Sequence, residues 1–332
     1  MQGCDVVSSF PKNRAVRALK RAIATFAVFA CLPASAAPPA SWSVVDQSIL
    51  VSIDDDIARN ISRDGFFDGI QISEVRFSEN GFDWHLIRFS SIEKPDGPNW
   101  VVPHDDENAA FDAMIAAIQK YGGTGISVNS GTGSARLQSG AGVCGVKSAR
   151  MTSCDPNRNF DAQTPVFTAA FVNMLKPDQP VIALHTNSHG FSGDGEGGRG
   201  DITIYDRKAF ARGNIKAREN GRLADNPTGD MENPDTLALS AFLARRGQPP
   251  ADDAACGKGM TQSGVHFWHE AVGKSDGSLS NYLILNRPDF AYMNAESRAE
   301  IDLALAAGRH AVMIKAYLEK CADLWDKPAT RP

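Results

Sequence analysis

Two histidines and a glutamate have the types and spacing of metal ligands. His104 follows the predicted buried strand 100–102, and Glu107 falls on the first turn of the helix expected next. This H-x-x-E spacing lets an imidazole and a carboxylate converge on one ion. His185 ends a second buried strand, which is where open α/β sheets place their ligands. The alternatives are an ordinary acidic first turn and a hydrogen-bonded structural histidine.

A second group of residues is suited to holding a carboxylate and moving a proton. Asn157 and Arg158 are adjacent in the chain between the two histidines, and an amide beside a guanidinium can form paired hydrogen bonds to a carboxylate. The alternative is a turn in which Arg158 pairs with a nearby aspartate. Glu296 lies at a predicted strand-to-helix junction. It is either a helix-start carboxylate or the acid that water activation beside a metal requires.

The elements that must position these residues are those of an α/β fold. From residue 99 onward, apolar runs of strand length alternate with segments of helical periodicity, which predicts a mixed sheet between two helical layers. Helices are expected over 109–121, 165–175, 236–246 and roughly 297–320, and strands over 100–102, 181–184, 202–205 and 282–285. Ahead of them, residues 43–92 are predicted to form several short strands, among them 70–77 and 84–89.

The amino terminus has the composition of a signal peptide. Basic residues precede the apolar run 22–32, and Ala34-Ser35-Ala36 fits the small-residue pattern at a signal-peptidase site. We therefore predict a signal peptide over 1–36, a β-rich extension over 37–98 and a larger α/β domain over 99–332, in a periplasmic or secreted protein. Cys31 follows the bulky Phe29, which is a poor match to a lipoprotein box.

Four cysteines follow the predicted signal peptide, and an even number in an exported chain indicates disulfides. Cys144 and Cys154 bracket a short loop, so closing it costs little entropy. Pairing them leaves Cys256 with Cys321. We expect these two bridges, although four cysteines allow three pairings. No C-x-x-C pair occurs among the four, which disfavours a thiolate metal site.

The charge argues against nucleic acid as a partner. The chain has a formal net charge of -5, and because its first 36 residues carry +4, the remainder carries -9. Such a surface repels phosphates, and no basic stripe offsets it. No apolar stretch approaches the roughly 20 residues that cross a bilayer, so no membrane span is expected.

In chain order, the H-x-x-E pair, the Asn-Arg pair, the strand-end histidine and the late glutamate resemble the zinc metallocarboxypeptidase and succinylglutamate desuccinylase superfamily. The likeness is closer to a bacterial branch of that superfamily. The segments that carry it are 103–108, 155–158, 183–187, 276–280 and 294–296. It spans residues 99–320 and does not include the β-rich segment before Trp100. It implies a carboxypeptidase-like α/β/α fold and makes 99–332 the catalytic domain.

The resemblance also implies roles for single residues. His104, Glu107 and His185 correspond to the zinc ligands. Asn157 and Arg158 correspond to the pair that binds the terminal carboxylate of the substrate, and Glu296 corresponds to the general base. An arginine that stabilises the oxyanion is expected upstream, as either Arg136 or Arg150, and Tyr205 is a candidate for the active-site tyrosine. The implied reaction is zinc-dependent hydrolysis of a peptide or amide bond next to a free carboxylate. The predicted export, and not the resemblance, makes peptidoglycan fragments a candidate substrate.

Two other functions fit the same residues. The segment His185-Thr186-Asn187-Ser188 resembles the strand-end motif of N-acetylmuramoyl-L-alanine amidases, although the Asn-Arg pair and Glu296 argue against that activity. A non-catalytic module that binds carboxylates could use every one of these side chains without cleaving a bond. A further His pair, His266 and His269, would share a helical face, but a packed aromatic segment is the preferred interpretation.

Overall fold

An 11-stranded mixed sheet runs through the residues that the computed structural model describes. These are residues 41–129, 144, 155–160, 163–187, 215–219, 222–224, 236–246, 249–298 and 302–325. The strands are β1 (Ser43–Val44), β2 (Ile70–Glu79), β3 (Phe82–Ser91), β4 (Asn99–Val102), β5 (Thr124–Asn129), β6 (Val181–Asn187), β7 (Ile215–Glu219), β8 (Arg222–Ala224), β9 (Thr236–Leu243), β10 (His266–Val272) and β11 (Tyr292–Arg298). Their order in space is β1-β2-β3-β5-β4-β6-β11-β9-β10-β7-β8.

Helices pack on both faces of this sheet. They are α1 (Gln47–Leu50), α2 (Asp55–Asn60), α3 (Asn108–Tyr121), α4 (Pro165–Val172), α5 (Ala251–Gln262), α6 (Leu279–Asn286) and α7 (Leu303–Lys320). The apolar side chains of α3, α5 and α7 form one buried cluster with one face of the sheet. Those of α4 and α6 form a second cluster on the opposite face. The predicted mixed sheet between two helical layers is therefore confirmed.

The strands at the centre of the sheet are largely buried because helices cover both of their faces. β4 pairs in parallel with β5 and β6, and β6 pairs in parallel with β11. Trp100, Val181 and Leu184 have no exposed surface. This parallel core carries the residues singled out as metal ligands, since His104 follows β4 and His185 belongs to β6.

The β-rich segment before residue 99 extends the same sheet. β2 and β3 form an antiparallel hairpin around Asn80 and Gly81, whose φ angles of 55° and 77° are those of a tight two-residue hairpin turn. β3 then pairs antiparallel with β5. The segment also holds the short helices α1 and α2, which the alternating pattern of apolar residues did not predict. The domain boundary at residue 99 stays a prediction.

Three predicted elements differ from the structure. The expected helix 236–246 is strand β9 through Leu243, and its nearly continuous apolar run is buried between β10 and β11. The expected strand 282–285 lies within α6, which Ser278 caps by accepting from the backbone N–H of Asn281. The helix expected from 297 starts only at Leu303, because β11 continues through Arg298. A short apolar run is compatible with either a helix or a strand, and its contacts with the rest of the fold determine which of the two forms.

One predicted disulfide is confirmed. Cys256 of α5 is bonded to Cys321 at the end of α7, with the α-carbons 4.7 Å apart. Cys144 is also disulfide-bonded, and its expected partner Cys154 lies outside the described residues. The signal peptide and the strand 202–205 lie outside them too. No helix in the described ranges has the length and apolar character that crossing a membrane needs.

Candidate active site

His104, Glu107 and His185 lie together at the carboxyl ends of β4 and β6. Nδ1 of His104 is 3.0 Å from Oε1 of Glu107 and 3.2 Å from Nδ1 of His185. Nδ1 of His185 is in turn 3.2 Å from Oε2 of Glu107. All three side chains are almost completely buried. The sequence therefore folds three donor groups from two chain segments around a single point.

Local structure explains why these side chains meet. β4 and β6 are adjacent and parallel, so the residues that end them emerge at the same edge of the sheet. Glu107 is the N-cap residue of α3, but its side chain makes no capping hydrogen bond to the helix. That carboxylate is directed instead at the two imidazoles, which a capping carboxylate would not be.

Asp155 fixes the orientation of His104. Nε2 of His104 lies 2.8 Å from Oδ1 of Asp155, so this nitrogen carries the proton that the carboxylate accepts. A neutral His104 then presents a lone pair at Nδ1, facing the carboxylate of Glu107 and Nδ1 of His185. Histidine ligands in metal sites are held by an outer carboxylate in this way.

The electrostatics of this cluster favour one added positive charge. Burial alone would lower the pKa of His104, but the carboxylates of Glu107 and Asp155 raise it well above its usual value. Burial would raise the pKa of Glu107, but His104 and His185 lower it to about 2. The cluster thus holds an ionised carboxylate against two imidazoles and stabilises a cation at their centre.

The donor set fits a divalent metal ion. One ligand atom from each of His104, Glu107 and His185 lies within 4.8 Å of the others. Oε2 of Glu107 and Nε2 of His185 are buried and form no hydrogen bond within the described part of the chain. Buried polar atoms without partners are costly, and a bound ion removes that cost for a carboxylate oxygen. Two imidazoles with one carboxylate are a typical ligand set for zinc.

Glu296 lies beside the cluster on the neighbouring strand. It belongs to β11, where it pairs in register with His185 of β6, so both side chains leave the same face of the sheet. Oε1 of Glu296 accepts from Nδ2 of Asn294 at 2.9 Å. Burial raises the pKa of Glu296 to about 7, against the lowering effect of His185. The residue sits within a strand and not at the expected strand-to-helix junction.

Asn157 and Arg158 lie on a 3₁₀ turn that Asp155 caps. Oδ1 of Asn157 accepts from the backbone N–H of Leu279 at 3.0 Å, so its amide –NH₂ is the group left to contact a ligand. The nearest carboxylates to the guanidinium of Arg158 belong to Asp155 and Asp276, each 3.8 Å away. At that distance they attract Arg158 without using its donors in short hydrogen bonds.

These residues line one cleft. The cleft brings together His104, His185, Asn157, Arg158 and Glu296, which the sequence singled out from widely separated segments. Glu107 does not line the cleft itself, but its carboxylate contacts both histidines. Arg136, Arg150 and Tyr205, the expected oxyanion arginines and tyrosine, lie outside the described residues, so their roles stay predictions.

Three residues of the cleft were missed by sequence reasoning. Asp155 belongs to a segment that was singled out, but its contact with His104 depends on a distant strand. Tyr292 lines the cleft and stands two and four residues before Asn294 and Glu296, so strand alternation in this segment would have placed it on their face. Glu270 also lines the cleft, and no local pattern marks it.

The His266 and His269 pair is not a helical metal site. Both residues lie on strand β10, where neighbours three apart face opposite sides of the sheet. Nε2 of His269 is 3.0 Å from the backbone oxygen of Asp253, and its ring packs at 4.9 Å from that of Phe267. The preferred interpretation, a packed aromatic segment, agrees with these contacts.

Comparison with known proteins gives distant structural likenesses. No protein-family model matches the chain, and no curated protein matches it. A metallo-carboxypeptidase from Burkholderia cenocepacia is similar at a TM-score of 0.42 and 12% identity, over 81% of this chain and 68% of that one. A provisionally named metallopeptidase from Shewanella denitrificans OS217 is similar at 0.38 and 12%, over 87% and 99%. The apo cell shape determinant protein Csd4 from Helicobacter pylori is similar at 0.37 and 14%, over 72% and 55%. None of these is close enough to assign an activity.

Proposed function

We propose that this protein is a zinc-dependent hydrolase that cleaves a peptide or amide bond next to a free carboxylate. The observation that supports this most is the convergence of His104, Glu107 and His185 on one point, with distances of 3.0 to 3.2 Å between their donor atoms. A buried glutamate and an arginine line the same cleft.

The three ligands and their surroundings suit a catalytic metal. His104, Glu107 and His185 would hold the ion, which leaves further coordination positions for ligands from the cleft. When bound there, zinc supplies a Lewis acid that polarises a carbonyl group and lowers the pKa of water. Asp155 keeps the His104 ring in the orientation that presents Nδ1 to the site.

The chain's own groups would handle the proton and the substrate. Glu296, with its pKa raised to about 7 by burial, can accept a proton near neutral pH and return it to a leaving amine. Arg158 and the amide of Asn157 would bind the free carboxylate of the substrate, because both present donors to the cleft. These contacts fix the distance from the carboxylate to the bond that is cleaved.

Two substitutions separate metal binding from proton transfer. We expect His104→Ala to lose both bound zinc and hydrolysis, whereas Glu296→Gln keeps zinc and loses most hydrolysis, roughly 10²-fold or more. Elemental analysis of the purified protein measures zinc, and release of a C-terminal residue from acylated dipeptides measures turnover. Glu319→Gln, at an exposed helix position paired with Lys315, is the matched control.

The outcomes discriminate among the candidate functions. Hydrolysis that is unchanged in Glu296→Gln contradicts the base role of this residue. Zinc that binds without any turnover in the unmodified protein supports a carboxylate-binding module instead. Digestion of purified muropeptides separates the two hydrolases, because a carboxypeptidase frees a C-terminal residue and an amidase frees the lactyl group of muramic acid.

The place of action rests on the amino-terminal sequence alone. Basic residues followed by the apolar run 22–32 and Ala34-Ser35-Ala36 support export to the periplasm or the medium. Peptides of the cell wall are the peptide substrates that such a location offers. Detection of the mature chain, beginning at Ala37, in a periplasmic or culture fraction tests this proposal, and its retention at full length in the cytoplasm contradicts it.

A further inference from the structure

The cleft continues past Glu296 to a second acidic region that the proposed mechanism does not use. Glu296 pairs with Leu237 of β9, and Leu237 pairs with His266 of β10. Glu270 lies four residues beyond His266 on that strand, on the same face of the sheet. Standard strand spacings put the α-carbons of Glu270 and Glu296 about 16 Å apart. The two carboxylates therefore serve opposite ends of the cleft.

Glu270 forms no ion pair with a lysine or arginine of the described residues, although the charge of Arg158 lowers its pKa. Its contact is with Nδ2 of Asn281, 3.4 Å from Oε1, which is a long hydrogen bond. No lysine or arginine nitrogen within the described ranges lies close enough to form an ion pair with it. The side chain is partly buried and lines the cleft. A partly buried carboxylate that is weakly satisfied is costly unless a ligand completes its interactions.

Asp276 adds a second negative charge beside Glu270. Oδ1 of Asp276 accepts from the backbone N–H of Ser278 at 2.9 Å and holds the turn before α6. Oδ2 lies 3.8 Å from the guanidinium of Arg158, and the side chain is 42% exposed. Burial, and then the negative charge of Asp276, raise the pKa of Glu270 to about 7. A cation placed between the two carboxylates would relieve this repulsion.

The cleft holds one cationic side chain near two carboxylates. Arg158 is the only lysine or arginine among the described residues that line it, and it lies next to Asn157, which donates an amide to the cleft. Asp276 lies 3.8 Å from the Arg158 guanidinium, and Glu270 lines the same cleft, where Arg158 lowers its pKa without forming an ion pair with it. A ligand with a carboxylate for Arg158 and, several bonds away, a cation for Glu270 matches this arrangement.

We propose that Glu270, assisted by Asp276, determines substrate specificity by binding a positively charged side chain on the residue that carries the free carboxylate. The substrate class is thus a peptide or amide that ends in a basic amino acid with a side-chain ammonium or guanidinium group. This inference rests on the proposed hydrolase function for its location. Its recognition chemistry depends only on Glu270, Asp276 and Arg158.

A pair of substrates that differ only in this charge tests the proposal. Acylated dipeptides ending in lysine and in norleucine have the same four side-chain carbons, and only lysine carries the amine. For the zinc-loaded protein we expect kcat/KM to favour the lysine substrate by roughly 10- to 100-fold, the range of one charge-assisted hydrogen bond. In Glu270→Gln this preference should fall to within a few-fold of one, while Glu319→Gln retains it.

Two further measurements keep the test decisive. Asp276→Asn keeps an oxygen for the turn and removes the charge, so it should weaken the lysine preference in a protein whose thermal unfolding matches the parent. Calorimetric binding of free lysine and free norleucine needs no turnover, and lysine should bind roughly tenfold more tightly or better.

The failures of the two proposals are distinguishable. Equal kcat/KM for both dipeptides, or a preference that survives in Glu270→Gln, overturns the specificity proposal and leaves the hydrolase proposal standing. If neither dipeptide is cleaved by the zinc-loaded protein, the hydrolase proposal loses its support. Calorimetry then tests the specificity proposal by itself, and equal dissociation constants for lysine and norleucine overturn that proposal.

Discussion

Oδ1 of Asp155 contacts Nε2 of His104 at 2.8 Å and accepts the backbone N–H of Asn157 at the same distance. One carboxylate oxygen thus orients a metal-ligand ring and caps the turn that presents Asn157 and Arg158 to the cleft. Asp155 therefore links the proposed metal site directly to the proposed carboxylate-binding pair. A change at Asp155 should affect both.

The first prediction concerns Asp155→Asn. The amide keeps an oxygen for the backbone of Asn157 but removes the charge that His104 contacts. We expect zinc affinity to fall roughly 10- to 100-fold, because an outer carboxylate fixes the ring and increases its basicity. Competition with a chromophoric chelator measures the change. Asp289→Asn, at an exposed site paired with Arg287, is the control, and equal affinities in all three proteins would contradict the role of Asp155.

The second prediction concerns Gly277, which lies against the backbone of Arg158. A Cβ at Gly277 would stand 2.5 Å from the carbonyl oxygen of Arg158, and its φ of 87° disfavours other residues. We expect Gly277→Ala to displace Arg158 and to raise KM for carboxylate-bearing substrates more than it lowers kcat. Gly264→Ala is the matched control, since Gly264 has a φ of 81° and nothing within 4 Å of the added atom.

Both glycine variants place a side chain on a residue with a positive φ, which lowers stability. Only Gly277→Ala also creates a steric contact, with the backbone of Arg158. Both should lose about 1 kcal/mol of stability from the left-handed conformation. Only Gly277→Ala should change KM. An unchanged KM in both proteins would show that the position of Arg158 does not depend on this contact.

The residues that converge in the cleft could be predicted where a local pattern marks them. His104 and Glu107 follow a strand at a spacing that reaches one ion, and His185 ends another buried strand. Glu270 could not be found in this way, because its position beside the cleft depends on the pairing of β9 with both β10 and β11. That non-local register has no signature within any short window of sequence.

The layered fold was predictable from the alternation of buried strands and helices, but several element types were not. The run Thr236–Leu243 is apolar at most positions and fits a buried helix as well as a strand. Residues 282–285 are apolar, yet Ser278 caps a helix ahead of them. Pairing with β10 and β11 makes the first run a strand, and the Ser278 cap makes the second a helix. Both effects depend on residues outside the run itself, which its periodicity does not detect.

The third prediction concerns a charge network that joins α2 to α3. Asp112 accepts from Arg59 at 2.8 and 3.0 Å, from Nδ2 of Asn60 at 3.0 Å and from Arg63 at 2.9 Å. Asp112→Ala removes the acceptor that these donors share, although Arg59 keeps its bond to Asp56 and Arg63 keeps its bond to Asn60. We expect the free energy of unfolding to fall by roughly 1–3 kcal/mol. This is less than for a fully buried ion pair, because Arg59 and Arg63 are partly exposed.

Chemical denaturation measures this loss, and the shape of the transition carries a second result. Because α2 precedes residue 99 and α3 follows it, a single transition that shifts as a whole indicates that both segments unfold together. Glu319→Gln, which removes an exposed pair, should change stability by less than about 0.5 kcal/mol. A loss at Asp112 no larger than that would contradict the importance of the network.

The fourth prediction is a pH dependence of the lysine preference. Burial and Asp276 raise the pKa of Glu270 to about 7, while Asn281 and Arg158 act in the opposite direction. Glu270 is ionised above that pH and attracts an ammonium group, and below it the protonated acid does not. The ratio of lysine to norleucine affinity should therefore rise as pH increases through about 7. Asp276→Asn removes the neighbouring negative charge, so the rise should move to lower pH. Calorimetry at a series of pH values measures both curves. A ratio that stays flat across this range in the parent protein would mean that Glu270 does not contact the cation, whatever the preference at one pH.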